Sequence, residues 1–188
     1  NSVSKIAGFF KEQCGVTVAV SNEKSGDNEI VFEISDGLPE IIGDEGYTLS
    51  VDEHSATVKA NTDIGLLYGG ITLVQMYFSE GFIRCGEALD YPQYPVRAGM
   101  IDVGRTWIPL DYVEEITKYM AWFKLNQIHL HINDCNGTEN MAFRLESDIP
   151  GLSTVKNGEK LYYTKDEYRD YQKRMLEYGV TVVTEIDT

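Results

Sequence analysis

Three short groups of residues in this 188-residue chain are of types that do chemistry. The first is "IDVGR" (101–105), which sets Asp102 three residues before Arg105. The second is "NQIHLHINDC" (126–135), where His129 and His131 alternate with Ile128, Leu130 and Ile132 and are followed by Asp134. The third is "VTVVTEID" (180–187), which closes on Glu185 and Asp187. The two-residue period of a strand puts His129 and His131 on one face, and Glu185 and Asp187 on one face. Imidazole and carboxylate groups so placed can move a proton, orient a polar substrate or ligate a metal. Each group also has a plainer reading. Asp102 and Arg105 can be a structural ion pair, since buried charges need partners. The two histidines can be hydrogen-bonded core residues, or His129, His131, Asp134 and Asp187 can be metal ligands. Trp107, Trp122, Tyr162 and Tyr163 could be sugar platforms, but Trp122 lies inside a helical pattern and suits packing.

The elements that must position these groups repeat in one order after the proline-bearing connection "LDYPQYPVR" (89–97). "AGMIDV" (98–103) is an apolar run of strand length. Residues 109–123 predict a helix, with Pro109 at its start, Asp111 and Glu114 at capping-box spacing, and an apolar stripe of Val113, Ile116, Met120 and Phe123. The histidine strand follows, then a polar loop. A second helix is predicted over 164–178, where Thr164 and Glu167 repeat the capping-box spacing and Gly179 sits where a helix stops. "VTVVTEI" (180–186) is a third strand. Strand, helix, strand, helix, strand predicts βαβ units and a parallel sheet buried on both faces, in an open doubly wound sheet or a (β/α)8 barrel. All three chemical groups fall at the C-terminal ends of these strands, the end that carries active sites in such folds. No GxGxxG or GxxxxGK[ST] follows a strand, which removes the usual nucleotide-binding reading.

Residues 1–90 have a different grammar, that of an α+β domain. Val3, Ile6, Phe9 and Phe10 predict a short helix, and "VTVAV" (16–20) and "EIVFEI" (29–34) predict strands. "YTLSV" (47–51) and "ATVKA" (56–60) predict a hairpin. A helix over 63–78 would be capped by Asp63, and its Gly65, Gly69 and Gly70 imply close approach to a sheet. Nothing here concentrates chemistry. The formal charge of −14 makes nucleic acid and anionic membranes poor partners. Cys14, Cys85 and Cys135 are too scattered for a structural zinc site or a disulfide framework. The longest apolar run, 64–78, is broken by glycines and Gln75, so no membrane span is expected. The chain opens on Asn1 and stops on an apolar strand, so both ends are expected to be cut.

The stretch "VRAGMIDVGRTWIPLDYVEEITKYMAWFKLNQIHLHIND" resembles the start of the catalytic barrel of family 20 glycoside hydrolases, the β-N-acetylhexosaminidases and lacto-N-biosidases. "FRLES" (143–147), "YYTKDEYRDYQKRMLEYGVTVV" and the terminal "EID" continue the likeness over residues 94–188. The first half is similar to the small α+β domain that precedes the barrel. The resemblance implies a (β/α)8 TIM barrel of which residues 91–188 supply the first three strands, after a non-catalytic domain at 1–90. It implies a glycan substrate with terminal β-linked N-acetylhexosamine, no cofactor and no metal, and for a glycan-degrading enzyme a secreted or cell-surface bacterial setting. By position, Arg105 resembles the arginine that binds the terminal sugar's hydroxyls. Asp134 resembles the aspartate of the polar network behind the general acid. Asp102 and Arg97 match structural positions, and His129, His131, Glu185 and Asp187 fall to a supporting network that orients Asp134.

In this family the substrate's own 2-acetamido group is the nucleophile, and an adjacent Asp-Glu pair orients it and protonates the leaving oxygen. That pair follows the fourth strand, so residues 1–188 alone are expected to be inactive. None of Asp44-Glu45, Asp52-Glu53 and Asp166-Glu167 is placed to substitute for it. Cys135 stands where many members have a second aspartate, and the loop through "NGTENMAF" departs from the common form. "AFRLESD" resembles a branch that includes lacto-N-biosidases, which leaves the released unit open between a monosaccharide and a disaccharide.

Overall fold

The computed structural model describes residues 2–23, 26–135 and 141–187, which divide between two compact units, Asn1–Pro95 and Val96–Thr188. In the first unit, α1 (Ser2–Cys14) is followed by β1 (Glu29–Ile34), a single 3₁₀ turn (Glu40–Ile42), the hairpin β2 (Tyr47–Val51) and β3 (Ser55–Ala60), α2 (Asp63–Glu80) and β4 (Gly86–Asp90). The four strands form one sheet in the order β1-β3-β2-β4, parallel only between β1 and β3. Helix α2 packs on this sheet and α1 packs on α2. The glycines of α2 explain how closely. A Cβ at Gly65 would strike Ala60 and the Gly46 carbonyl, and one at Gly69 would strike Val58 and Tyr47. Gly70 faces α1 instead, where a Cβ would strike Ile6.

Two expectations fail in this unit. Thr62, not Asp63, caps α2, its hydroxyl accepting from the Gly65 N–H at 3.1 Å. Asp63 lies one residue inside the helix and accepts a hydrogen bond from the Ser2 hydroxyl at 2.8 Å. "VTVAV" (16–20) has the alternation of a strand but belongs to no sheet. It lines a cavity of about 480 Å³ with Ile6, Phe10 and Phe32. Alternation records which side chains turn inward; it supplies no partner for the backbone.

In the second unit, β5 (Ala98–Asp102), α3 (Leu110–Trp122), β6 (Gln127–His131), the short antiparallel pair β7 (Asn133–Cys135) and β8 (Met141–Phe143), the two-residue strands β9 (Val155–Lys156) and β10 (Glu159–Lys160), α4 (Lys165–Leu176) and β11 (Thr181–Glu185) follow in order. Strands β11, β6 and β5 form a parallel three-stranded sheet. The mixed α/β class is as expected. Ile128 and Leu130 of the central strand are fully buried. The helices cover one face of this sheet: Met120 of α3 meets Gly99, and Tyr168 of α4 bonds the Thr184 hydroxyl at 2.7 Å. The opposite face carries Met100, which is 62% exposed. Burial on both faces, as expected of the strands, is therefore not found among the described residues.

The two predicted capping boxes part ways. Thr164 and Glu167 form one, with the Thr164 N–H donating to Glu167 at 2.9 Å and the Glu167 N–H to Thr164 at 3.2 Å. Asp111 and Glu114 do not. Pro109 occupies the cap of α3, and Glu114 is taken by Arg174 of α4 at 2.6 Å. Phe123, expected in the apolar stripe, is 68% exposed, while Val113, Thr117, Met120 and Ala121 form the buried face.

Candidate active site

The parallel pairing sets the site's first coordinate. Asp102, His131 and Glu185 are direct partners across the sheet and end their three strands on one row. Neighbours in a parallel register project to the same face, so one imidazole stands between two carboxylates. His131 is 6% exposed, and its Nε2 lies 3.0 Å from Asp134 and 4.0 Å from Asp187. Its Nδ1 has no hydrogen-bond partner and lies 3.5 Å from Glu185.

Burial favours the neutral imidazole, but the bond to Asp134 and the fields of Asp102, Asp187 and Glu185 outweigh it and raise the pKa above the ordinary histidine value. Asp134 moves the other way. The bond with His131, then the Cys135 N–H and the charge of Arg105, hold its carboxyl below the usual range. His131 and Asp134 thus favour the charged form in each other.

Arg105 completes the cluster. Its guanidinium lies 3.0 Å from Asp102 and 2.7 Å from Asp134, and its backbone N–H donates to Asp102 at 2.9 Å. The two carboxylates are mostly buried while the arginine side chain is 65% exposed. His129 stands apart from Asp134. It reaches Gln127 at 3.3 Å and lies 3.9 Å from Glu185. Arg97 donates to the Lys124 carbonyl at 2.7 Å, a bond that ties the start of β5 to the approach to β6. Trp107 packs on Tyr163 with ring centroids 4.9 Å apart, and the Tyr163 hydroxyl donates to the Ile108 carbonyl at 2.6 Å. Trp122 closes α3, and Tyr162 borders a groove beside Trp107 and Lys160.

Two residues near the site carry no chemistry in the sequence reading. Asn133 donates to the Asp187 carbonyl at 2.8 Å and accepts from its N–H at 2.9 Å, fixing the backbone beneath Asp187. Arg144 is buried and bonds the carbonyls of Val103 and Gly104, just before Arg105. Residue type alone could have flagged Arg144, since it sits one residue beyond an apolar strand. Its partners are 40 residues away and are backbone atoms.

Two groups bring possible metal-ligand atoms within 4.8 Å of one another: Asp102, His131 and Asp134, and His131, Glu185 and Asp187. The set of His129, His131, Asp134 and Asp187 is not among them. In the first group Arg105 already neutralises both aspartates. The Asp-Glu dipeptides have local work. Asp52 accepts from the N–H groups of His54 and Ser55 in the β2–β3 turn, and Glu167 belongs to the α4 cap. The departing loop falls partly on residues 136–140, outside the described residues.

The catalytic-domain model of glycosyl hydrolase family 20 matches residues 94–188, and the model of that family's domain 2 matches residues 1–91. Beta-hexosaminidase subunit A2 of Dictyostelium discoideum is 27% identical over 99% of this chain and 35% of its own length. The subunit beta of Sus scrofa beta-hexosaminidase is 29% identical over 97% of this chain and 35% of its own length. Among solved structures, a Streptomyces plicatus beta-hexosaminidase mutant in complex with product GlcNAc superposes with a TM-score of 0.82 at 27% identity, covering all of this chain and 39% of that one. Flavobacterium johnsoniae chitobiase gives 0.80 at 27% identity, covering all of this chain and 29% of that one. The chain spans about a third of the length of these curated relatives. With both halves matched in order, the chain belongs to glycosyl hydrolase family 20.

Proposed function

We propose that this chain is part of an enzyme that releases terminal β-linked N-acetylhexosamine from glycans by a retaining, substrate-assisted mechanism. In this reading residues 1–90 are a non-catalytic domain, and residues 91–188 supply the first three strands of a (β/α)8 barrel. The observation that carries it is Arg105. Two of the five guanidinium donors are committed to Asp102 and Asp134, and the remaining donors stand at an exposed strand end. A fixed fork of this kind suits adjacent sugar hydroxyls. His131 and Asp134 hold the arginine from behind, with Glu185 and Asp187 keeping His131 charged.

The acid and the acetamido-orienting carboxylate are assigned to an Asp-Glu pair outside residues 1–188, because each such pair within them is bound into a turn or a helix start. Release of a disaccharide, as by a lacto-N-biosidase, is the alternative for specificity, and it rests on the "AFRLESD" segment. A chromogenic N-acetylglucosaminide and the corresponding lacto-N-bioside, assayed side by side, separate the two.

Arg105→Ala in the full-length protein tests the reading. Each charged hydrogen bond lost is worth about 1.5–3 kcal/mol. At 1.36 kcal/mol per decade, kcat/KM should fall about 10- to 100-fold for each bond. Unchanged kinetics would make Arg105 a structural residue and remove the sugar site from this strand end.

A further inference from the structure

Arg144 is 6% exposed, and among the described residues it makes no ion pair. Its guanidinium donates to backbone carbonyls instead: Nε to Val103 at 2.9 Å, Nη2 to Gly104 at 3.0 Å and Nη1 to Leu161 at 3.2 Å. A buried charge is normally matched by an opposite one. Here the field of Asp102 is the nearby counterweight, and the bonds go to peptide groups. Two of those three carbonyls belong to the turn that links Asp102 to Arg105.

The same turn is gripped from the other side. The N–H groups of Val103 and Gly104 both donate to the His131 carbonyl, at 3.1 and 3.0 Å. Gly104 lies so close to the chain beyond β6 that a Cβ there would stand 2.9 Å from backbone atoms of Asn133 and Asp134. The peptide units of 103 and 104 therefore have their N–H groups fixed by the central strand and their carbonyls fixed by Arg144. Arg144 is itself anchored: its N–H donates to the Ile132 carbonyl at 2.8 Å, and its carbonyl accepts from the Tyr163 N–H at 2.9 Å. Trp107 lies with its ring centroid 5.8 Å from the guanidinium carbon. Only a planar fork reaches two successive carbonyls and a third at once; an ammonium on a flexible stem addresses one point.

We propose that Arg144 is a positioning residue that fixes the 102–105 turn through the Val103 and Gly104 carbonyls and so aims Arg105 at the sugar. This rests on the reading of Arg105 as the sugar-binding arginine. A misplacement of about 1 Å at a binding group can cost about 100-fold in rate, so the effect should be large although Arg144 touches no substrate.

The test is a double-mutant cycle in the full-length protein, with kcat/KM measured for wild type, Arg105→Ala, Arg144→Met, Arg144→Lys and the two double mutants. Residues acting through one another are non-additive, whereas independent ones add. Arg144→Met should lower kcat/KM about 10- to 100-fold when Arg105 is present, and less than about twofold in the Arg105→Ala background. Arg144→Lys should not restore activity, although it keeps the charge. Equal losses in both backgrounds would overturn the proposal and leave the Arg105 reading standing. An Arg105→Ala protein with normal kinetics would overturn that reading, and the proposal with it. If Arg144→Met does not fold, the Arg144→Lys arm of the cycle decides. If neither variant folds, Arg144 serves folding and the proposal is wrong.

Discussion

The two sheets of this protein are built from similar alternating strands and treat polar side chains in opposite ways. In the first unit the polar groups that enter the core are few and locally settled. Ser2 is buried and bonded to Asp63, and Tyr47 places its hydroxyl on Thr72 and Asp90. Burial, and then the Asp90 carboxylate, push the Tyr47 pKa well above the ordinary phenol value, so that group stays neutral. In the second unit Asp102, Asp134, Glu185 and Asp187 crowd around one imidazole and one guanidinium. Stability alone does not ask for such a cluster, because desolvated charges often cost as much as they return. A site where the packing pattern is broken by charges, while the sheet beneath it is regular, is where function is expected.

That contrast can be broken at its apolar end first. Leu67 of α2 is fully buried in the first unit. Leu67→Ala should lose about 2–5 kcal/mol of stability, read from urea unfolding. A folded Leu67→Ala protein should still bind N-acetylglucosamine as wild type does. A loss of stability under about 1 kcal/mol would show that this core is far looser than its burial implies.

The charged end should show itself through pH. His131 has a raised pKa in the folded protein, so its contribution is fully present below its unfolded value of about 6.5 and is lost as pH rises through the raised value. Asp134 has a lowered one, so its contribution is present above about 3.8 and is lost as pH falls through the folded value. The stability gap between wild type and His131→Asn should therefore be widest between these two limits and narrow towards either side. Denaturant midpoints across the pH range check this, and a gap that does not vary with pH would mean the imidazole carries no charge in the fold.

The smallest effect sharpens the comparison within the second unit. Thr164→Ala removes a formed cap and should cost about 1 kcal/mol. Asp111→Ala, at the same spacing before Glu114, should stay within about 0.5 kcal/mol of wild type. Similar losses from the two, measured by thermal unfolding, would contradict the cap geometry of α3.

These pairs also show what the sequence discloses and what it withholds. The period of the apolar residues located both helices and all three parallel strands of the second unit, because periodicity is a local property that burial imposes directly. The cap at Thr164 was legible for the same reason. The cap at Asp111 was not, since its glutamate is drawn to Arg174 sixty residues on, and no local window contains that competitor. Strand-end chemistry pointed to Asp102, Arg105, His131 and Asp134, and the sheet register brings them together. His129 shares the face of His131 but sits two residues, one full pleat, short of the cluster. Arg144 and Asn133 stayed hidden because their partners are carbonyls and N–H groups, which every residue has and no sequence marks.

The row Asp102–His131–Glu185 has a further consequence in time. Chains grow from the N-terminus, and domains begin to fold while synthesis continues. Asp102 leaves first and is followed three residues later by Arg105. His131 then precedes Asp134, and both cations are already present when Glu185 and Asp187 emerge. Each later acid of the cluster thus arrives to a positive group that was made before it, and at no stage of translation must the nascent sheet hold all four carboxylates without their counterions.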